Sequence, residues 1–339
     1  ERINDAFGPL SQPFQNATKH LTHRLPLPDD AKYTDAAHAQ QFADAYGNDL
    51  RYNHRRGDWF WYDHPIWKRD ADGLIYRQAI RFAKRCQADA LELRDRKIRE
   101  LALQFYIRQE GKSTLDRTIS LARNLEPLTD AGNGWDADPW RLGAPNGVIN
   151  LQTGELERGD PDQKISYSVE VPYDETAPCP RWHLFLREIF DDDQSVIDFV
   201  QRYCGYALSG STKEQVLAVF YGRGANGKST LLNTLGWLLG NYAHNMPFSA
   251  VELKGRSAIP SDLAALDGRR FVTASETSDG TRLNEARIKA LTGSDPITAR
   301  FMHADFFTFQ PVAKFILAVN HKPIIADDSY GFWRRIRLV

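Results

Sequence analysis

The sequence predicts an α/β fold with a smaller mixed α+β region on its N-terminal side. Three observations lead to this prediction. Short apolar, β-branched runs at residues 215–221, 270–276 and 314–319 alternate with helical segments in the C-terminal half. A glycine-rich turn at residues 222–227 joins the first run to an apolar helix at residues 229–239. Upstream, short aromatic runs and basic helical stretches follow one another without this alternation.

The bulk composition is that of an ordinary globular protein. The 339 residues suggest two or three domains, with 42% hydrophobic and 26% charged residues. The net charge of −1 gives no overall attraction for nucleic acid, so such binding must use local patches. No apolar run is long enough to cross a bilayer, and the N-terminus has no signal-peptide pattern. Three scattered cysteines suit a reducing cytosol, so we expect a cytoplasmic protein without a membrane partner.

The chain divides into three stretches. Residues 1–34 contain four prolines without clear periodicity, which indicates an extended arm or linker. Residues 35–177 predict an α+β domain with a helix after Thr34, an aromatic β-hairpin, basic helices and a strand pair. A proline-containing boundary near residues 177–180 opens the last domain, residues 178–339. The chain begins without Met and stops inside a strand-like run, so we expect this last domain to be truncated at its C-terminus.

Two features of the N-terminal region are candidate nucleic-acid-binding surfaces, and each also has a purely structural interpretation. The aromatic residues Trp59–Tyr62 and Trp67, with neighbouring arginines, could stack single-stranded bases. Alternating aromatics more often build the core of a small β unit, and we favour that interpretation. Residues 77–117 hold eleven Lys or Arg against six acids, a net of +5, which is more often a solvated helix face.

Residues 222–229 match the phosphate-binding pattern G-x-x-x-x-G-K-[ST] at every fixed position. Glycines let successive backbone N–H groups converge on an anion, and the following helix adds its positive end. Lys228 is expected to reach the β- and γ-phosphates of a nucleotide, and Ser229 to ligate Mg²⁺. The predicted nucleotide contacts are Gly222, Gly224, Ala225, Asn226, Gly227, Lys228, Ser229 and Thr230.

Two later runs end in polar residues. The run 270–276 ends in Glu276, where a Walker B carboxylate belongs, and the run 314–319 is followed by Asn320. A polar side chain at either place can face the γ-phosphate across the sheet crevice. The plainer alternative is that each is an ordinary surface residue at a strand end. The phosphate-binding pattern (P-loop) earlier in the chain makes that alternative less favourable.

With these motifs, the chain resembles the helicase region of phage, plasmid and poxvirus-type primase-helicases, members of helicase superfamily 3. The resemblance runs from about residue 34 to the end and keeps the family's motif order. The matching phrases are NGVINLQTGEL, GRGANGKST, LDGRRFVTASE, LNEARIKALTGSDPITAR, FTFQPVAKFILAVNHKP and GFWRRIRLV.

The resemblance implies an ATP-driven DNA helicase with an AAA+-like P-loop NTPase core. It would act with ATP and Mg²⁺ as a ring, expected to be a hexamer, on single-stranded or forked DNA. Replication of a virus or mobile element in the host cytoplasm or nucleoid, with a primase domain or polymerase as partner, is implied as well. The resemblance assigns Lys228 and Ser229 to Walker A, Glu276 to Walker B and Asn320 to sensor 1. Ser275 stands where many members have a second acid, so Glu276 either helps to hold Mg²⁺ or orients the attacking water.

In this family a β-hairpin before the sensor strand projects into the ring channel. Arg300, Phe301 and His303 lie at that place and are candidate DNA contacts. A solvated hairpin with its apolar side packed inward is an equal alternative for each residue.

The resemblance also places an arginine finger on Arg334 and Arg335. A guanidinium stays protonated and can bond two phosphate oxygens at once. The pair is predicted to begin a terminal strand, where neighbouring side chains point to opposite faces, so only one could reach the next subunit's γ-phosphate. We favour Arg334. An ion pair with Asp327 or Asp328 is the plainer alternative.

Three functions are compatible with a P-loop here. The first is the helicase, and the second is an ATP-switched replication initiator or assembly module that binds DNA or partners without unwinding. Strand displacement distinguishes the first from the second. A small-molecule kinase is disfavoured, because nothing resembles a lid or acceptor site and Asn320 and the arginine pair would have no role.

Overall fold

The computed structural model describes residues 33–253, 260–275, 280–300 and 306–339, which divide into two compact units. The smaller unit comprises residues 33–135 and Gly159–Ser166, and the larger comprises Asp136–Arg158 and Tyr167–Val339. The predicted arm falls outside the described residues except for its last two positions. None of the described helices is both long and apolar enough to span a bilayer.

The smaller unit combines four helices with a four-stranded sheet. Its elements are α1 (Asp35–Tyr46), β1 (Leu50–Asn53), β2 (Asp58–Asp63), β3 (Ile66–Arg69), α2 (Leu74–Leu91), α3 (Arg96–Arg108), α4 (Lys112–Ala122) and β4 (Thr129–Asp130). The strand order is β3-β2-β1-β4, antiparallel except for the β1–β4 pair. The helix predicted after Thr34 is confirmed, and the Thr34 hydroxyl caps it by accepting a hydrogen bond from Ala37 N at 3.2 Å.

The aromatic residues of β2 and β3 belong to the core of the smaller unit. Phe60, Tyr62 and Trp67 are buried and pack with one another and with Trp135. Trp59 and Trp61 occupy the alternate positions of β2 and pack, partly buried, against the helical core. The core interpretation favoured above is therefore confirmed.

The larger unit is built on a five-stranded parallel sheet of order β14-β8-β13-β10-β9. Two smaller antiparallel sheets accompany it, β5-β6-β7 and the hairpin β11–β12. The elements are β5 (Arg141–Ala144), β6 (Gly147–Asn150), β7 (Leu156–Glu157), α5 (Pro180–Ile189), α6 (Gln194–Leu208), β8 (Leu217–Tyr221), α7 (Lys228–Leu239), β9 (Ala243–Asn245), α8 (Pro260–Ala264), β10 (Phe271–Ser275), α9 (Glu285–Thr292), β11 (Ile297–Ala299), β12 (Phe307–Phe309), β13 (Lys314–Val319), α10 (Tyr330–Trp333) and β14 (Ile336–Leu338).

Apolar layers cover both faces of the parallel sheet. Alternate residues of β8 divide between them: Ala218 and Phe220 pack with α5, α6 and α7, whereas Leu217 and Val219 pack with α9 and α10. All six residues of β13 are buried, as is typical of a central parallel strand. The larger unit is thus a mixed α/β layer structure in which the ends of the parallel strands form two opposite edges.

The division between the units differs from the boundary expected near residues 177–180. The β5–β7 sheet belongs to the larger unit, because Gly143 N donates to Tyr242 Oη at 2.9 Å and Leu142 and Ala144 join the apolar layer of the parallel sheet. Gly143 and Tyr242 are 99 positions apart. A local composition signal does not reveal a contact over that distance along the chain.

Candidate functional site

The glycine-rich loop, residues 222–227, leaves the carboxyl end of β8 and leads directly into α7. Ala225 and Gly227 have positive φ angles of 64° and 85°. A Cβ on Gly222 would collide with the Asn226 amide, and one on Gly227 with the Ile189 side chain of α5. Around Gly224 there is nothing within 4 Å of a Cβ position. The positive φ and the close Ile189 side chain therefore favour glycine at 227, whereas a Cβ at 222 would require the Asn226 amide to move. A Cβ at 224 would meet no obstacle.

The first turn of α7 presents backbone amides without a side-chain cap. The N-cap residue is Gly227, which has no side chain with which to cap the helix. The first hydrogen bond of the helix runs from Leu231 N to Gly227 O at 2.9 Å, so the N–H groups of Lys228, Ser229 and Thr230 lie outside the helical pattern. Such amides, together with the helix dipole, favour an anion.

Lys228 is folded over the loop that precedes it. Its Nζ donates to Gly222 O at 2.5 Å and to Asn226 Oδ1 at 2.9 Å. Partial burial lowers the pKa of Lys228 from its usual value. Both acceptors are neutral, so these hydrogen bonds leave the ammonium charge available to an anion.

Strand order brings Asn320 beside the loop. Gly222 N donates to Val319 O at 3.2 Å, and Asn320 follows as an exposed residue at the end of β13. Ser275 ends β10 opposite Ala318, at the same edge of the sheet. Glu276, the next residue, lies outside the described residues, and its assignment stays a prediction.

The hairpin predicted before the sensor strand is present as the antiparallel pair β11–β12. Arg300 directly follows β11, is exposed, and holds its guanidinium 4.8 Å from the centroid of the Phe306 ring. Phe306 itself is 63% exposed. Phe301 and His303 lie outside the described residues, so the structure bears on Arg300 alone among the three candidates.

Arg334 and Arg335 lie at the opposite edge of the parallel sheet. Leu217 N, at the start of β8, donates to Arg335 O at 2.8 Å. The five residues of β8 then separate this edge from the glycine-rich loop by roughly 16 Å. The arginine pair is therefore remote from the loop of its own chain.

The prediction that the two arginines begin a strand and point to opposite faces is wrong. Arg334 is the C-cap of α10, with φ −59° and ψ −21°, and β14 begins only at Ile336. Since both residues precede β14, their side chains need not alternate. Both guanidinium groups donate to the same acceptor, Oε1 of Gln215.

The ion pair offered as the alternative for the arginines is not formed by Asp327. Its carboxylate binds Lys289 Nζ of α9 at 2.5 Å. The Lys289 bond and the Ser329 contacts hold the pKa of Asp327 at about 2, below its usual value. The arginine pair thus makes its described side-chain contacts with neutral oxygens.

Sequence patterns missed Gln215. Residues 215–221 predict one continuous strand, but β8 begins at Leu217 and Gln215 has a positive φ of 51°. A polar residue next to a β-branched run carries no signal of that conformation. The only local hint is that Gln215 is polar where a buried strand would be apolar.

Comparisons with known proteins support the relationship suggested by the motifs. Residues 39–191 match a family model described as "D5 N terminal like", and residues 220–335 match a family of unknown function (DUF5906). Over 210 residues the chain is 30% identical to "Putative helicase L207/L206" of Acanthamoeba polyphaga mimivirus. Over the same number it is 27% identical to "Putative primase C962R" of African swine fever virus. Each match covers 60% of this chain and 22% of the relative.

A further relative is "Putative helicase 184R" of Invertebrate iridescent virus 6, 26% identical over 236 residues that cover 65% of this chain and 24% of that protein. The chain thus spans less than a quarter of these relatives. Among solved structures, the apo A form of the NrS-1 C-terminal region aligns with a TM-score of 0.49 and 11% identity, covering 86% of this chain and 57% of that one. The D5-like match and the viral relatives named putative helicase and putative primase confirm the resemblance to viral primase-helicases.

Proposed function

We propose that this chain contains the motor of a superfamily 3 DNA helicase with an AAA+-like P-loop NTPase core. Hydrolysis of Mg-ATP in a ring of subunits, expected to be a hexamer, would drive movement along DNA during replication of a virus or mobile element. One observation carries the proposal: Lys228 and Arg334 lie at opposite edges of one parallel sheet. A ring in which each subunit offers its arginines to the next subunit's loop would bring the two together.

The residues at the carboxyl edge fit ATP and its metal ion. The amides of residues 228–230 would hold the phosphates, and Lys228 Nζ would exchange its neutral acceptors for β- and γ-phosphate oxygens. The exposed hydroxyl of Ser229 is an oxygen ligand of the kind Mg²⁺ prefers, and Glu276 would support the metal or the attacking water. Bound Mg²⁺ would neutralise charge on the phosphates during transfer. Asn320, exposed at the end of β13, would contact the γ-phosphate or the attacking water.

The hairpin supports DNA as the substrate of the motor. Directly after β11, Arg300 offers an exposed guanidinium, and the exposed Phe306 ring lies against it. A cation beside an aromatic face suits a single strand, because it meets the backbone phosphate and stacks a base. The relatives named putative helicase and putative primase support the same substrate. A primase domain or polymerase would be a further partner.

A forked DNA duplex with ATP and Mg²⁺ tests the proposal. We expect strand displacement by the wild-type chain and none by Lys228→Ala at equal folded concentration. ATP-dependent DNA binding without displacement would replace the helicase with an ATP-switched initiator or assembly module. A folded wild-type protein that neither binds nor hydrolyses ATP would contradict both functions.

A further inference from the structure

Gln215 occupies a strained position at the amino edge of the parallel sheet. Its φ of 51° lies in the left-handed region, which residues other than glycine adopt at a cost. Gln215 N donates to Thr212 O at 3.1 Å, and β8 starts two residues later. The turn therefore fixes Gln215 relative to the sheet, and such strain persists where the surrounding structure or a function maintains it.

The side-chain oxygen of Gln215 is shared by two guanidinium groups. Arg334 Nη2 and Arg335 Nη2 both donate to Oε1, the latter at 3.3 Å. Arg335 is held at a second point, because its Nη1 donates to Gly331 O. Within the described part of the chain, the Arg334 side chain makes only the bond to Gln215. Arg335 is thus anchored, and Arg334 keeps donors for another partner.

The shared acceptor of Arg334 and Arg335, the amide oxygen of Gln215, is neutral. Burial and, secondly, the neighbouring Arg334 charge lower the pKa of Arg335. An amide oxygen orients guanidinium groups without cancelling their charge, whereas a carboxylate would form an ion pair with them. The arrangement suits an anion that arrives from outside the chain.

We infer that Gln215 is a positioning residue for the arginine pair. Its amide oxygen, together with the anchored Arg335, holds Arg334 in the orientation that meets the triphosphate on the neighbouring subunit. The inference rests on the proposed function, because it presupposes hydrolysis at an interface between subunits. It adds a residue that itself touches neither nucleotide nor metal.

The test compares Gln215→Met and Gln215→Glu with the wild-type chain in a steady-state ATPase assay with Mg²⁺. Methionine keeps the length of the side chain and loses the acceptor, and glutamate keeps an acceptor and adds a competing charge. We expect kcat to fall about 10- to 100-fold in both, as for a misplaced catalytic group, with the KM for ATP unchanged. Gln194→Met is the matched control, since Gln194 is an exposed residue of α6 bonded to Asp198. It should keep wild-type kcat.

An experiment with mixed rings distinguishes a positioning role of Gln215 from a general structural role. Rings of Gln215→Met and Lys228→Ala subunits contain interfaces where an intact loop faces an intact arginine pair, so activity should return. In addition, Gln215→Met should lower kcat no further in an Arg334→Ala background.

Wild-type kcat in either folded Gln215 variant would overturn the inference and leave the proposed function standing. Lack of recovery in confirmed mixed rings, or an additive loss with Arg334→Ala, would also overturn it, since Gln215 would then act within its own subunit. If Gln215→Met does not fold, Gln215→Glu decides the outcome alone. A wild-type chain without ATPase activity would overturn the proposed function and this inference with it.

Discussion

The two edges of the parallel sheet differ in how their basic side chains are buried and bonded. At the carboxyl edge, Lys228 is partly exposed and the amides of the first turn of α7 have no side-chain cap. At the amino edge, Lys314 and Arg270 are each only 2% exposed. Backbone carbonyls surround both side chains: those of Ser209, Ser211 and Val312 accept from Lys314 Nζ, and those of Leu208 and Asp138 accept from Arg270.

This difference distinguishes basic side chains that stabilise the fold, such as Lys314 and Arg270, from those that are available to a ligand, such as Lys228. A buried basic side chain whose N–H donors are bonded to carbonyls connects the loop before β8 to the sheet and has little capacity for a ligand. Lys228 has neutral contacts that a phosphate can displace. The arginine pair lies between these cases, since it sits at the amino edge but is half-buried and shares one amide oxygen. We therefore expect substitutions at Lys228 and Arg334 to affect activity, and those at Lys314 to affect stability.

Lys228→Ala should have the largest effect. It removes the positive partner of the phosphates, so ATP turnover should fall to the detection limit while the thermal unfolding temperature stays near that of the wild type. We expect the loop to keep its shape because the hydrogen bond from Gly222 N to Val319 O and the positive φ angles of Ala225 and Gly227 do not depend on the lysine. Lys213→Ala, at an exposed lysine before β8, is the control and should hydrolyse ATP normally. Turnover near wild type in folded Lys228→Ala would exclude this loop as the catalytic site.

Arg334→Ala should lower kcat by roughly 10³–10⁵-fold, the usual worth of an arginine finger. Because the arginine lies at the edge away from its own loop, ATP binding to the same subunit should be unaffected. Mixing this variant with Lys228→Ala should restore part of the ATPase activity, measured by phosphate release. Arg202→Ala, at an exposed arginine of α6, serves as the control. No recovery despite confirmed mixed assembly would remove the role in trans.

Glu276→Gln tests the residue that follows β10 at the carboxyl edge of the sheet. If Glu276 orients or deprotonates the attacking water, hydrolysis should slow by roughly 10²–10⁴-fold while ATP binding persists. Fluorescent-nucleotide titration and phosphate release measure the two quantities separately. If binding is lost and excess Mg²⁺ restores it, Glu276 is instead a support of the metal ion.

The central elements of the α/β core could be predicted because their signals are local. Residues 314–319 were expected as a buried strand and form one with the same bounds, since every position is apolar except the first. The glycine-rich loop likewise has a local signal in its own glycines, although the Ile189 side chain that lies close to Gly227 comes from α5. Its role as a nucleotide site stays a prediction from the motif.

Contacts between distant parts of the chain could not be predicted. Gln215 meets Arg334 across 119 positions, and no spacing rule pairs a glutamine with an arginine at that range. The orientation of the arginines was mispredicted for a related reason, because the four residues of α10 are too few to show helical periodicity. The carbonyl cage of Lys314 is also assembled across more than a hundred positions, from Ser209 and Ser211. A lysine at the start of a strand gives no sign of such burial.

Lys314→Met should have the smallest effect and should act on stability alone. The substitution leaves three carbonyl oxygens without their donor, so we expect the free energy of unfolding to fall by roughly 1–3 kcal/mol. ATPase kcat of the folded variant should stay at the wild-type level, because Lys314 lies at the edge away from the loop. A large loss of kcat in the folded variant would contradict the assignment of Lys314 to stability rather than activity.

The pH dependence of the same variant sharpens the test. Burial and, secondly, the Arg270 charge lower the pKa of Lys314 to about 6. Above that pH the folded chain releases a proton that the unfolded chain keeps up to about pH 10, the ordinary range of lysine. The unfolded state then binds more protons, so the free energy of unfolding rises with pH, by at most about 1.4 kcal/mol per unit. Urea unfolding at pH 6 and pH 8 should show this rise in the wild type and in the exposed control Lys97→Met, but not in Lys314→Met. Equal slopes in all three would mean that Lys314 keeps its proton in the folded chain, bound by the surrounding carbonyls.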